Sequence, residues 1–570
     1  MRLRYITLCI VVLMAQLTQS QDLSKEITIE KEIVPEKRNA SRLMLSPAVS
    51  LPVVSQKQLT FSEYGSSALV APQLAFLEPA AYADSLTAFP YRGYVDLGYF
   101  PIYNTALSAG YRIIDKQSTL LNTWLQYNGK VYDGEILNEP IGDVTMRSHE
   151  ASIGLNFKQK VGAVSQLMAD VAYSYNYFRV PFGVYRYDSQ AHYNQSVNHI
   201  ETSLGWKSAT GKIDYDANVE YGYFDFAKHG ALYSSPEIMN AMSPVRENRF
   251  ALKGQLSYII NECARVGVDV NAHYLDYNRD YAIAEDSPSL ALIMKDLAQD
   301  DYGIVSLTPR LDYAHETFSA RIGAKVDMNI NSGRVLHIAP DVNVHWKPVS
   351  VLSVYGRLGG GQYVNTMSQL YNDMQHMLPM RAYSHSSLPI TADMGVTLGP
   401  WRGVALEAYG RYAKADDWLM PMIDRTVGFY SPCTVEGMMF GASARYNYRN
   451  IVELKVAYET APQGGTKRYY AWRDRAHNVV DASLVVTPIK PLDITVAYQY
   501  RSDRQAKAFY YDTMLDLGDV SNLSLGGVYR FTPSLSVFAR FENILDADYH
   551  LLSGLPAQGF SGLIGVGYKF

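Results

Sequence analysis

The end of the chain constrains the fold more than any other stretch. From Phe560 to Phe570, every second residue is apolar or glycine. The residues between them are Ser561, Leu563, Gly565, Gly567 and Lys569. This period of two is that of a β-strand with one apolar face, and a tilted strand of about 10 residues can cross a bilayer. Because its backbone must be hydrogen-bonded on both sides in lipid, the stretch predicts a closed barrel.

The same alternation recurs along the chain after Tyr91. It is cleanest from Ile213 to Tyr223, where the two faces of the strand differ in kind. One face carries Ile213, Tyr215, Ala217, Val219, Tyr221 and Tyr223, and the other carries Asp214, Asp216, Asn218 and Glu220. A charged row opposite an apolar row is typical of a strand between lipid and a wet lumen. We therefore expect the apolar row to face outward and the acidic row inward.

The connections between strands alternate between short and long. Ten short ones lie around Lys116, Lys160, Thr210, Asn261, His315, Pro348, Pro400, Arg449, Ile489 and Thr532. The clearest long ones are Gly129–Val144, Arg179–Tyr193, Asp225–Val245, Asp276–Asp300, Gly360–Tyr383, Lys414–Pro432, Pro462–His477, Ser502–Asp519 and Ile544–Gly559. Short turns at one end and long loops at the other are the signature of outer-membrane barrels.

The number of turns sets the number of strands. Ten short turns join strands in pairs, and the first and last strands bring the total to about 22, a number in the size class of large outer-membrane barrels. The sequence therefore predicts an all-β fold, a transmembrane antiparallel up-and-down outer-membrane β-barrel over residues 91–570. A large soluble β-sandwich array or a propeller fits the last strand and the turn rhythm less well.

Residues 1–90 differ from the rest of the chain. Arg2, Arg4, an apolar run and a small-residue site predict a signal peptide over residues 1–20, cut before Gln21. Residues 21–90 are polar and punctuated by prolines, and only Glu26–Glu30 alternates like a strand. We interpret residues 21–90 either as an extended periplasmic segment, partly tucked into the lumen, or as a disordered leader.

Composition limits the classes of function. The formal net charge of −5 argues against a nucleic-acid partner. After signal cleavage only Cys263 and Cys433 remain, too few for a disulfide framework. The sequence contains no nucleophile elbow, no P-loop, no H-E-x-x-H motif and no Cys/His metal spacing. We therefore expect a protein that is not an enzyme, with no catalytic residue, no cofactor and no metal site.

Two long loops have an unusual composition. Met367 to His385 contains Met374, Met377, Met380 and His376 as well. Thioether and imidazole groups together suit a soft metal such as copper(I), but flexible Met side chains also line adaptable packing surfaces, which is the interpretation we favour. The acidic loop Asp276–Asp300 is consistent with a calcium site, and we favour a short amphipathic loop helix instead.

A run of aromatic residues marks the end of one predicted strand. Tyr173, Tyr175, Tyr177 and Phe178 could stack on sugars or form part of the aromatic girdle at the membrane interface. With 45 tyrosines in the chain, we favour the girdle.

The C-terminal stretch resembles the end of TonB-dependent receptors. Asn543-Ile544-Leu545-Asp546 followed by Tyr549 is similar to the N-L-F-D-x-x-Y segment of that family, Pro556 to Phe560 to its P-x-x-G-R/F element, and Gly565 to Phe570 to its closing G-x-x-Y-x-F. The resemblance implies a solute-binding or solute-transporting barrel in the outer membrane. It also implies that Tyr568 and Phe570 form an assembly signal, which the outer-membrane insertion machinery reads.

The chain departs from the family before its first strand. Only 70 residues, 21–90, separate the predicted signal peptide from Tyr91, and they lack the glycine-rich pattern of the family's plug domain. We therefore expect a barrel without a plug, which leaves a second hypothesis open: a scaffold subunit of an envelope complex, docking a protein partner through residues 21–90. In either case we expect the lumen to be closed, mainly by Asp276–Asp300 and Gly360–Tyr383 folding inward.

Overall fold

The computed structural model describes residues 91–101, 104–137, 143–181, 192–227, 245–278, 300–377, 384–424, 427–449, 451–461, 476–508, 514–551 and 554–570. The predicted signal peptide and the segment 21–90 lie outside these residues. So do residues 279–299, where we expected a loop helix or a calcium site.

The described residues form twenty-four strands and one short helix, α1. Their bounds are β1 Gly93–Phe100, β2 Asn104–Asp115, β3 Thr119–Glu135, β4 Asp143–Val161, β5 Ser165–Pro181, β6 His192–Thr210, β7 Ile213–Phe226, β8 Val245–Ile259, β9 Ala264–Tyr277, β10 Tyr302–His315, β11 Phe318–Ile330, β12 Leu336–Val349, β13 Leu352–Tyr363, α1 Met367–Asp373, β14 Ser386–Trp401, β15 Val404–Asp424, β16 Val427–Tyr448, β17 Val452–Thr460, β18 Asn478–Ile489, β19 Leu492–Arg501, β20 Gln505–Ala508, β21 Met514–Asp516, β22 Val520–Arg530, β23 Leu535–Glu542 and β24 Ser561–Lys569.

Twenty-two of these strands close into one antiparallel barrel. Each strand pairs with the next along the chain, with β19 pairing directly with β22. The last strand, β24, pairs with β1, so that Tyr568 lies opposite Val95 and no edge remains between the two ends. The predicted up-and-down barrel of about 22 strands is confirmed. Each of the ten short turns that the sequence predicted falls at or within two residues of a short connection between two strands.

The alternation along β7 has the direction that the sequence predicted. Val219, on the odd-numbered face, is 55% exposed on the outside of the barrel. Phe224 and Phe226 continue the row of Asp214 to Glu220, and both contact Tyr371 of α1 inside the barrel. The acidic row therefore lines the lumen and the apolar row lies outside.

An apolar belt surrounds the barrel. Exposed outward-facing side chains occur on successive strands, among them Leu256, Ile322, Ile338, Met394 and Leu406. A continuous apolar surface of this size is not tolerated in water, so we infer that the belt contacts lipid. Among the described residues, no helix has the length and apolarity needed to span a membrane.

Three expected loops contain strand instead. Strands β3 and β4 occupy most of Gly129–Val144, and β15 and β16 form a tall hairpin through Lys414–Pro432, pairing as far as Asp424 and Val427. The sequence did not predict this hairpin. Its consecutive residues Met422 and Ile423 are both buried, so the apolar residues of the strand do not alternate with a period of two. In Ser502–Asp519, β20 and β21 form a small hairpin, and β20 pairs in parallel with the tip of β15.

Candidate functional site

The lumen is crossed by Val364–Met377, which we call the crossing segment. Thr366 caps the N-terminus of its helix α1. The Thr366 hydroxyl accepts from the Gln369 backbone N–H, and the Gln369 side chain accepts from the Thr366 backbone N–H. This capping box satisfies two N–H groups at the start of the helix. The helix ends at Met374, whose N–H donates to the Leu370 carbonyl. A helix of 7 residues is not stable alone, so the surrounding barrel must hold it in place.

Apolar packing ties the crossing segment to opposite walls of the barrel. The Tyr371 ring lies 6.0 Å from that of Phe178 on β5, and 5.7 Å from that of Phe224 on β7. The same buried cluster includes Leu419 on β15 and Tyr430 on β16. Strands β5 and β16 are half-way round the ring of 22 strands from each other. The segment therefore spans the interior from wall to wall.

Hydrogen bonds fix the segment at both of its ends. Near the start, the Met367 N–H donates to the Glu247 carboxylate at 2.8 Å, and the Tyr302 hydroxyl donates to the Asn365 carbonyl at 2.6 Å. Near the end, the Gln375 side chain donates to Glu150 on β4 at 2.9 Å. These bonds satisfy buried polar groups, which would otherwise cost about 1–3 kcal/mol each.

The buried carboxylate of Glu247 has two donors. Besides the Met367 N–H, it accepts from the Tyr277 hydroxyl at 2.6 Å, and the residue is only 2% exposed. An acidic group in such a place is costly unless it is hydrogen-bonded. No sequence pattern predicted this role, because Glu247 alternates with Arg249 on the lumen face of β8 like an ordinary lumen residue.

The methionines of the crossing segment are part of its packing. Met367, Met374 and Met377 are buried in the apolar cluster, as our favoured interpretation requires, while Met380 lies outside the described residues. His376 packs edge-on against the Phe178 ring at 5.1 Å, and burial lowers its pKa to about 4. His385 contacts Ser332 and Asn329 instead. In the described part of the chain, no three Asp, Glu, His or Cys side chains are grouped as a metal site.

The aromatic girdle is confirmed only in part. Tyr173 and Tyr175 are exposed on the outside of β5. Phe178 does not belong to the girdle, and that expectation is wrong for it. It lies on the opposite face of the strand and is buried against the crossing segment.

Two residues of the C-terminal motif, Asn543 and Asp546, form hydrogen bonds within their own loop. The Asn543 side chain donates to the Ala547 and Gln558 carbonyls and accepts from the Ala547 N–H. Asp546 accepts from the Phe560 N–H at 2.8 Å. A Cβ at Gly559 would lie 2.7 Å from the Asp546 carboxylate, so a larger residue there would displace the carboxylate that accepts from the Phe560 N–H. The motif thus holds the loop between β23 and β24 in a fixed shape.

This loop packs on strand β22 and also reaches across to strand β3, near the start of the barrel. Tyr549 is buried against Val520, and the Pro556 carbonyl accepts from the Tyr132 hydroxyl at 3.1 Å. The neighbouring β20–β21 hairpin joins it, because the fully buried Arg504 donates to the His550 carbonyl at 2.9 Å. Together with the crossing segment, the described parts of this loop and this hairpin form a roof over the long-loop end of the barrel.

Below the roof, the lumen is lined by paired charges. The Glu220 carboxylate contacts Lys253 at 2.6 Å and Arg249 at 3.3 Å. Arg310, whose side chain is almost fully buried, contacts Asp269 at 2.9 Å and also Asp312. Such pairing leaves a lining that is polar and nearly neutral. It does not single out a nucleophile with an adjacent base.

Phe570 completes the seam between the first and last strands. Its N–H donates to the Gly93 carbonyl at 3.0 Å, and its carbonyl accepts from the N–H groups of Arg92 and Gly93. Its ring stacks on Tyr568 at 6.2 Å and on Tyr111 at 6.1 Å. The role of Tyr568 and Phe570 as an assembly signal stays a prediction.

Known proteins resemble this chain in fold and not in sequence. No family model matches the sequence, and no curated protein matches it. Solved structures do. The FrpB iron transporter from Neisseria meningitidis (F3-3 variant) superposes with a TM-score of 0.60 at 12% identity, covering 84% of this chain and 81% of that one. The siderophore receptor PirA from Acinetobacter baumannii gives 0.64 at 8%, covering 84% and 80%, and the copper transporter OprC gives 0.59 at 13%, covering 84% and 81%.

The chain has the barrel fold of the TonB-dependent receptors. Within this TonB-dependent receptor fold, the described residues include no separate plug domain. The interior is occupied at the long-loop end by the chain's own crossing segment. The expected inward folding of Gly360–Tyr383 is confirmed for its described residues.

Proposed function

We propose that this protein is an outer-membrane barrel for the passage of a solute, and that the crossing segment is its gate, closed in this structure. The observation that carries the proposal is the packing of Tyr371 and its neighbours against both walls of the lumen. A barrel of this strand number encloses a space wide enough for large solutes, so it needs a closure. The similar structures named above are described as transporters or receptors of iron, siderophores and copper, which supports transport without naming a substrate here.

Opening requires the crossing segment to leave its cluster. Undocking exposes the buried side chains of Met367, Leu370, Tyr371, Met374 and Met377. Exposing each such side chain to water costs roughly 1.5–3 kcal/mol of free energy. The closed state therefore dominates unless a ligand or an applied force favours the open one. A solute or a periplasmic partner would therefore have to supply the free energy of opening.

Planar-bilayer recordings test the gate. The intact protein should conduct little. A variant in which residues 364–377 are replaced by a glycine-serine linker of equal length should conduct strongly, because it lacks the crossing segment. Its barrel wall stays complete, since β13 ends at Tyr363. A heat-modifiability assay confirms that the variant folds. A large steady conductance of the intact protein would contradict the closure, and an unchanged low conductance of the folded variant would contradict the gate.

A scaffold subunit is the second candidate. The observation that favours it is the number of separate anchors in the roof, including the buried Arg504 and the parallel β15–β20 pairing, since a fixed roof suits a support more than a moving gate. In this case a partner would dock from the periplasm, through residues 21–90. Purification from outer membranes distinguishes the two: a stoichiometric partner that is lost when residues 21–90 are deleted supports the scaffold.

A further inference from the structure

Basic residues are concentrated on one side of the short-turn rim. The successive turns β14–β15, β16–β17 and β18–β19 carry Arg402, Arg449 and Lys490, and the described residues of these turns include no acidic one. Lys347 lies nearby, two residues before the end of β12. Elsewhere on the rim, two turns carry one lysine each, Lys116 and Lys212, and two carry one glutamate each, Glu262 and Glu316. One arc of the rim is therefore positively charged.

Aromatic rings of the outer surface lie directly beside two of these charges. The Arg402 guanidinium lies 5.2 Å from the centre of the Trp401 ring, and the Arg449 guanidinium lies 5.3 Å from that of Tyr448. Trp401 is 66% exposed at the edge of the apolar belt. Trp and Tyr in this position mark the level of the lipid headgroups. Each arginine is thus held at that level by a cation–π contact.

The turn conformation makes the two arginines unusual. Arg402 and Arg449 have φ values of 50° and 49°, in the left-handed region that tight two-residue turns normally fill with Asn or Gly. In both turns an arginine takes this position although its side chain has no ion-pair partner among the described residues. The geometry of the turn does not explain why arginine occupies these two positions, whereas a ligand that binds the arginine side chain does.

The two turns are also locked together. The Asn447 N–H donates to the Gly403 carbonyl at 2.9 Å, and a Cβ at Gly403 would lie 2.2 Å from the Asn447 carbonyl oxygen. Two strand spacings, roughly 10 Å, separate the two positions. Two guanidinium groups are therefore presented side by side, both next to lipid-facing rings.

We propose that this arc is a binding site for the headgroup of an anionic phospholipid in the leaflet at the short-turn end of the barrel. A guanidinium offers paired N–H donors that match two phosphate oxygens, and the adjacent ring packs on the glycerol and upper acyl chain. The neighbouring Lys347 and Lys490 add charge without specific geometry. The site does not depend on whether the barrel transports a solute.

Native mass spectrometry of the detergent-solubilised full chain tests the site. Phosphatidylglycerol should bind more tightly than phosphatidylcholine. Each Arg→Gln change should weaken phosphatidylglycerol binding about fivefold, and the double variant Arg402→Gln/Arg449→Gln about 25-fold. The matched control Lys116→Gln/Lys212→Gln removes two exposed charges from other turns of the rim and should have little effect. Arg402→Lys/Arg449→Lys should retain an intermediate affinity.

Other outcomes overturn the proposal. Equal loss in the control variant would mean that only total charge matters. Displacement by millimolar inorganic phosphate would indicate a free-anion site, and loss of a co-purifying acidic protein with unchanged lipid binding would indicate a protein interface. If the double variant fails to fold, fluorescence quenching in the native chain tests the site instead. Brominated phosphatidylglycerol should quench the fluorescence of Trp401 more than brominated phosphatidylcholine does. The Trp401 signal is the difference between the native chain and Trp401→Phe. Equal quenching by the two lipids would contradict the site.

Discussion

The backbone N–H of Met367 donates a hydrogen bond of 2.8 Å to the carboxylate of Glu247, which stands 120 residues earlier in the chain. This bond joins the first turn of the crossing helix to the wall strand β8. It also explains how an acidic side chain can be buried there, since the carboxylate accepts from the Tyr277 hydroxyl as well.

Replacing Glu247 should loosen the crossing segment. Glu247→Ala leaves the Met367 N–H and the Tyr277 hydroxyl without their acceptor, at about 1–3 kcal/mol for each buried donor. We expect an increased open probability in planar bilayers and an unchanged folded yield. Glu262→Ala, in an exposed turn, is the control and should behave like the parent protein. Closed channels in Glu247→Ala would show that this bond does not hold the segment.

Tyr371 should contribute more to closure than any single hydrogen bond. It is 1% exposed and contacts three Phe rings. Removing a large buried aromatic side chain costs about 3–5 kcal/mol. Tyr371→Ala should therefore admit a water-soluble thiol reagent to a cysteine introduced at Met374, a position that should be protected in the parent. Tyr175→Ala on the lipid face is the matched control, and equal labelling of both variants would refute the assigned packing.

The facing of β7 predicts an asymmetric response to charge. Val219→Lys places an ammonium group in the lipid-facing belt, which costs about 2–4 kcal/mol near mid-membrane. Asn218→Lys places it in the lumen beside Glu220, to which the Asn218 side chain already donates. Urea unfolding in vesicles should show a large loss for the first variant and little change for the second. Similar losses would mean that the facing is wrong.

Protonation of His376 should weaken the docking of the crossing segment. Burial lowers the pKa of His376 to about 4, against an ordinary value near 6.5 when the segment is undocked. The undocked state therefore binds the proton first, and docking weakens as the pH falls from about 6.5 to about 4, by up to roughly 3 kcal/mol. The conductance of the parent should therefore rise more over this window than that of His376→Phe. An identical pH profile in that variant would assign the response to other groups.

Deletion of Phe570 should impair assembly. The residue closes the backbone seam to Gly93 and stacks on Tyr111. The resemblance to TonB-dependent receptors predicts that it is also part of an insertion signal. We expect less of the folded, heat-modifiable form in outer membranes. Phe570→Tyr keeps the aromatic end and serves as the control. A normal yield after deletion would remove the idea of a signal at this position.

The sequence by itself determined the barrel wall. Each membrane strand can be recognised from its own residues, because its side chains alternate between lipid and lumen with a period of two. The polarity of residues such as Val219 and Asp216 indicates which face each occupies, whatever the rest of the chain does. The short turns are equally local. Strand number, antiparallel order and the closure of the barrel could therefore be predicted.

Only the tertiary structure decided what fills the lumen inside the barrel wall. The contact of Tyr371 with Phe178 joins residues far apart in sequence, and a helix of 7 residues leaves almost no periodic trace. Phe178 continues an aromatic run that looks like a girdle, yet the alternation of β5 places it on the lumen face, where the crossing segment covers it. In the tall hairpin of β15 and β16, burial on both faces erases the alternation on which sequence analysis depends. Closure arises where several elements meet, and no single stretch of the chain carries that information.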